Sequence, residues 1–151
     1  MKYKSKEKKR KDMLRGKHAE KEYAKLYKDV RFPTEKEDCN EHWDVEVNGI
    51  KIDVKAIKKN NENIHFVEFR NVQGKKGWLY GDADGFAFET EDYWVEVKKD
   101  DLQEMVHEKC MDKIVGWEFY ELATRPGAND LFTKVKTIDL CHIGKIKKKK
   151  G

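Results

Sequence analysis

The 151-residue sequence is short of the residues that punctuate or staple a chain, with two prolines, three cysteines and ten glycines. Cys39, Cys110 and Cys141 are odd in number and share no spacing, which argues against a disulfide framework and fits reduced thiols in a cytoplasm. Cys39 with His42, and Cys141 with His142, offer halves of a zinc site, but the usual C-x2-C frame is missing and zinc is not expected. No apolar run has the length of a membrane span, and none follows the basic N-terminus. Neither a membrane segment nor a secretory leader is therefore expected. No repeat and no linker is visible, which predicts one domain over 1–151.

Charge is abundant: 41% of residues are charged against 38% hydrophobic, and the formal net charge is +4. The distribution says more than the total. Residues 1–17 carry nine Lys/Arg and two acids, and residues 145–151 carry five Lys. The body between them is acidic. Two readings stand for the basic ends, at about 1–12 and 145–151: they touch phosphates, or they are flexible solvated tails.

Apolar periodicity predicts an α/β (α+β) domain with one central mixed sheet flanked by helices. Ala19, Tyr23, Leu26, Tyr27 and Val30 form a helical stripe, with Pro33 closing that helix. Residues 34–41 read as a polar loop. Strands are expected over 64–72, 83–89, 93–97, 116–122 and 131–143. A helix capped by Asp100 or Asp101 presents Leu102, Met105, Val106 and Cys110 on one face.

The sharpest local signal is HWDVEVNGIKIDVKAIKK, residues 42–59. Asn48-Gly49 between alternating segments specifies a two-residue hairpin turn. That turn pairs Val47 with Ile50, Glu46 with Lys51 and Val45 with Ile52, and it sets Asp44 opposite Asp53 and His42 opposite Lys55. Trp43, Val45, Val47, Ile50, Ile52 and Val54 would form the core face. Glu46 opposite Lys51 is ordinary charge pairing. Asp44 opposite Asp53 is unfavourable unless a cation sits between them. Mg²⁺ binds through one or two carboxylates plus substrate phosphate, and Lys55 is placed to hold a phosphate oxygen or a water. A solvated hairpin face with one tolerated like-charge pair is the competing reading.

Gly16-Lys17-His18-Ala19-Glu20, then Asp44, then Ile52-Asp53-Val54-Lys55, resembles the PD-(D/E)xK nuclease superfamily, especially its Holliday-junction-resolvase-like and phage-encoded members. The likeness is good over 16–57 and loose over 64–100, and the last third has no match. Trp43 stands where many members have proline. The helix offers both Glu20 and Glu22, and the G-x-x-x-E spacing favours Glu20. The resemblance implies a restriction-endonuclease-like core and a metal-dependent DNA endonuclease hydrolysing phosphodiesters, with branched DNA as a plausible substrate. It implies a phage or mobile-element protein acting in the host cytoplasm, and a homodimer would let two sites cut two strands. Asp44, Asp53, the Val54 carbonyl and Glu20 would bind Mg²⁺, with Mn²⁺ as a substitute. Lys55 would orient the attacking water and stabilise charge on the phosphate.

Further candidates for DNA contact are Lys17, His42, Lys58, Lys59, Asn71 and Gln73, each of which is otherwise a solvated polar residue. Glu68 could extend the acidic cluster but reads more simply as a solvated strand position. Asp82 and Asp84 read as turn formers. Two rival classes remain: a nucleic-acid-binding protein with the same fold and no catalysis, and a phage accessory protein that binds a host protein.

Overall fold

A computed structural model describes residues 6–58 and 63–150. It is a mixed α/β protein with four α-helices among the described residues. α1 (Lys6–Ala24) leads into a two-residue strand β1 (Val30–Arg31), a short helix α2 (Glu35–Asn40) and the hairpin β2 (Val45–Val47) and β3 (Ile50–Lys55). β4 (Ile64–Arg70) and a 3-10 turn (Trp78–Tyr80) precede β5 (Gly85–Glu89), β6 (Tyr93–Lys98) and α3 (Lys99–Lys109). β7 (Leu131–Lys136), α4 (Thr137–Ile143) and β8 (Lys145–Lys148) complete the chain. The main sheet runs β1-β2-β3-β5-β6-β8, and β4 pairs with β7 in a separate two-stranded sheet. In the main sheet β3 and β5 are parallel and their neighbours antiparallel.

The hairpin follows its sequence. Asn48 and Gly49 both take positive φ, 50° and 80°, as the mirror-image turn requires. Val47 pairs with Ile50, Glu46 with Lys51 and Val45 with Ile52. The paired register stops there. The Asp44 N–H donates to the Ile52 carbonyl at 2.9 Å, an acceptor that regular pairing gives to Val45, so the strand kinks at Asp44. Trp43 consequently leaves the expected core face. Val45, Val47, Ile52 and Val54 pack under α1 with Ala19, Tyr23, Ala87 and Trp94. Trp43 packs on the opposite face with Phe86, Phe88, Val97 and Leu79. Both faces of the sheet are thus covered, which is why Gly85–Phe88 is buried throughout. Phe86 and Phe88 are fully buried, and truncating either to alanine would cost about 3–5 kcal/mol.

Several expectations are corrected. The first helix begins at Lys6, and β8 ties down Lys145–Lys148, so regular structure occupies much of both basic ends. Residues 35–40 are a helix, because Thr34 and Glu37 form a reciprocal capping box. Segment 131–143 divides into β7 and α4, and 116–122 makes only isolated bridges. β4 lies outside the main sheet, held by β7 across some seventy residues of sequence. Asp100 and Asp101 sit in the first turn of α3, where they favour the helix dipole, and Lys98 holds the cap position. Glu46 and Lys51 are register partners, but their side chains bond elsewhere: Glu46 accepts from Arg31, and Lys51 donates to Glu41 at 2.8 Å. Among the described residues, no helix is long and apolar enough to cross a membrane.

Candidate functional site

The kink at Asp44 creates the site. Its carboxylate turns in and accepts the Val54 N–H at 2.7 Å, replacing the backbone partner that the broken ladder no longer supplies. The N–H and C=O of one strand residue point to the same edge, so the Val54 carbonyl faces this side as well. Asp53, only 8% exposed, lies against Asp44. α1 crosses the other face of the sheet and delivers Glu20 to Asp44 from the side. Glu22 faces solvent and pairs with Lys25 at 2.8 Å, so Glu20 is the helical acid that reaches the cluster. Lys55 lies 3.1 Å from Asp53 Oδ2 and stacks its ammonium 4.1 Å from the centre of the Trp78 ring.

The electrostatics are those of a crowded acid pair. Burial pushes Asp53 up to about 7; Lys55 opposes this and the Asp44 charge adds to it. Asp44 is also raised, by burial first and by the charge of Glu20, against the hydrogen bonds it makes with Asp53 and Val54. Lys55 meets Asp53 and Lys17 meets Glu20, while Asp44 and Asp53 remain crowded against each other. A divalent cation would relieve the same repulsion. Among the described residues, no three His, Cys, Asp or Glu side chains form a preformed metal cage. The donor set nonetheless suits a hard cation that uses one or two carboxylates and completes its shell with water and phosphate.

The cluster opens into a cleft of about 680 Å³. Trp78 forms one wall, and a close approach sets its place. A Cβ on Gly77 would lie 2.4 Å from the Glu68 carbonyl oxygen, so only glycine lets the chain press against β4 there. The Trp78 N–H then donates to Glu68 Oε1 at 3.3 Å. Glu68 is therefore half-buried in the cleft rather than solvated. Burial raises its pKa, against the pull of that N–H and of Lys55.

The other candidates divide. His42 lines the cleft, but its N–H goes to Asp82 Oδ2 at 3.3 Å, and no pairing with Lys55 is present. Asn71 lines it too, with Oδ1 occupied by the N–H groups of Gln73 and Lys75, both at 3.0 Å. Gln73 is exposed in that turn, outside the cleft lining. Lys17 is largely exposed and lies 3.7 Å from Glu20. Lys58 is exposed with its ammonium 5.1 Å from the Phe66 ring centre, and Lys59 lies outside the described residues. Asp84 is structural: it accepts the Lys51 N–H at 3.0 Å. Sequence reasoning missed Trp78, Lys75 and Lys76, which line the cleft. The run Lys75-Lys76-Gly77-Trp78, basic then aromatic after a glycine, is the signal that was there to find.

The fold and site together define a mixed α/β protein with a carboxylate–lysine cluster at the mouth of a cleft. The chain matches no protein-family model, no curated protein and no solved structure.

Proposed function

We propose that the protein is a Mg²⁺-dependent deoxyribonuclease that hydrolyses phosphodiester bonds in DNA, on a restriction-endonuclease-like core. The reading rests on one observation: Asp44, Asp53 and Lys55, brought together by the hairpin, line one cleft, and Glu20 from α1 reaches Asp44 beside it. Asp44 and Asp53 would hold the ion, with the Val54 carbonyl on the same edge and Glu20 beside Asp44. When bound, the ion supplies Lewis acidity to the phosphate and lowers the pKa of a water. Lys55, fixed between Asp53 and Trp78, orients that water and stabilises charge gathering on the phosphate oxygens. Lys17, His42, Lys58 and Lys59 then serve the DNA backbone. A branched duplex is the proposed substrate, and two copies acting together would cut two strands.

The test is to incubate the protein with supercoiled plasmid and with a synthetic four-way junction, in Mg²⁺, Mn²⁺ or EDTA. Nicking that needs the metal and disappears in Asp53→Ala and Lys55→Ala supports the nuclease. A gel shift without cutting, unchanged in Asp53→Ala, would make this a binding protein instead. Neither cutting nor binding would leave a protein-binding accessory role.

A further inference from the structure

The cleft has the wrong charge to attract DNA. Its lining carries six carboxyl groups against three lysines. A polyanion must be drawn in from elsewhere, because affinity for a duplex comes mainly from cations matched to phosphates. α1 provides them. Its buried residues are Ala19, Tyr23 and Ala24, so the turns before Ala19 have no buried side chain. Those turns carry seven Lys/Arg and two acids between Lys6 and His18.

The helix also gives these charges a direction. Helical spacing toward the N-terminus from Glu20 reaches Lys17, Gly16, Met13, Lys9 and Lys6. Lys8 and Lys11 point to the opposite side. From Lys6 to Lys17 the row extends about 17 Å, roughly half a turn of duplex DNA. Gly16 is the second, independent observation. A glycine inside a helix is unfavourable, and packing does not demand this one: a Cβ built there meets nothing within 4 Å. It opens a bare patch of backbone in line with Glu20, next to the site. Glycine is the residue that lets a ligand approach a backbone closely.

We propose that the row Lys6, Lys9, Gly16 and Lys17 is a phosphate track that guides one strand of duplex DNA toward the Glu20–Asp44–Asp53 cluster, with Gly16 the point of closest approach. The track deepens the nuclease reading and takes its direction from it, but its binding is measured without catalysis.

The experiment is fluorescence anisotropy of a labelled 20-base-pair duplex in EDTA, over a range of NaCl concentrations. K6Q/K9Q should reduce the slope of log affinity against log salt by about two and weaken binding by roughly tenfold near physiological salt. K8Q/K11Q, on the far side, should leave both nearly unchanged. Gly16→Leu should keep or raise the melting temperature, since leucine favours the helix and the space is open, yet weaken binding severalfold. An equal effect of the two double variants would overturn the track in favour of diffuse attraction. Wild-type affinity in Gly16→Leu would overturn it as well. Face-specific binding in a protein that never nicks DNA would leave the track standing and remove the nuclease; nicking with an unchanged salt slope would do the reverse.

Discussion

Two acidic clusters lie within one short stretch of this chain and end in opposite states. Around Arg31, Glu37 and Glu46 share one guanidinium, which bonds both. Its hydrogen bonds draw Glu37 down to about 2. Around Asp44, Lys55 meets Asp53 and Lys17 meets Glu20 from the exposed side, yet burial and crowding push both aspartates up instead. The first cluster is satisfied and exposed, so it serves to pin β1 to α2 and β2. The second leaves Asp44 and Asp53 short of positive charge in a largely buried setting at the mouth of the cleft. Natural folds keep such a deficit mainly where chemistry uses it.

Breaking the second cluster should have the largest effect. Asp53→Asn should lower metal-dependent nicking on the order of a thousandfold. The same change should leave the melting temperature equal or higher, because it removes a buried charge with poor compensation. A variant that unfolds, measured by circular dichroism, would show that the aspartate supports the fold instead.

His65 separates burial from like charge. It is buried against Phe88, its Nε2 lies 3.0 Å from Thr137 Oγ1, and burial alone pulls its pKa from 6.5 down to about 4. A lowered pKa means the unfolded chain binds the proton first, so stability is lost as pH falls from about 6.5 to 4. The loss should reach about 3 kcal/mol. Urea titrations across that range should show this slope in the wild type and a flatter one in His65→Gln.

A smaller effect sharpens the contrast from the ligand side. Mg²⁺ at ten times its Kd should stabilise the wild type by about 1.4 kcal/mol and leave Asp53→Asn unmoved. Equal shifts in both proteins would place the ion elsewhere. The smallest change belongs to the satisfied cluster. Arg31→Gln should cost little stability, and the difference should shrink further in high salt, as exposed ion pairs do.

What could be read from the sequence was whatever a few adjacent residues decide. Asn48-Gly49 specifies its turn without help, so the hairpin and the pairing of Val45 with Ile52 were legible. Asp44, Asp53 and Lys55 followed from that frame, while Glu20 was preferred over Glu22 only through the resemblance and its G-x-x-x-E pattern. The kink one residue further was not legible, because it depends on Asp44 capturing the Val54 N–H, a side-chain bond that competes with the ladder. Trp43 lies on the unexpected face for that reason. The T-x-x-E signal at Thr34 and Glu37 is present in the sequence, but no apolar stripe accompanies it, which leaves a polar loop as the simpler expectation. The exposed turns of α1 likewise bury nothing, so hydrophobic periodicity could not find their start. The pairing of β4 with β7 joins segments far apart in the chain, and no local pattern announces it.

That distant pairing has a consequence in time. Trp78, which steadies Lys55, is carried behind β4, and the partner of β4 is not synthesised until Leu131–Lys136. A chain still growing on the ribosome can close its hairpin and gather its aspartates, but the wall of its cleft waits for β7. The carboxylate cluster and the wall that completes its cleft would thus take shape at well-separated moments of synthesis.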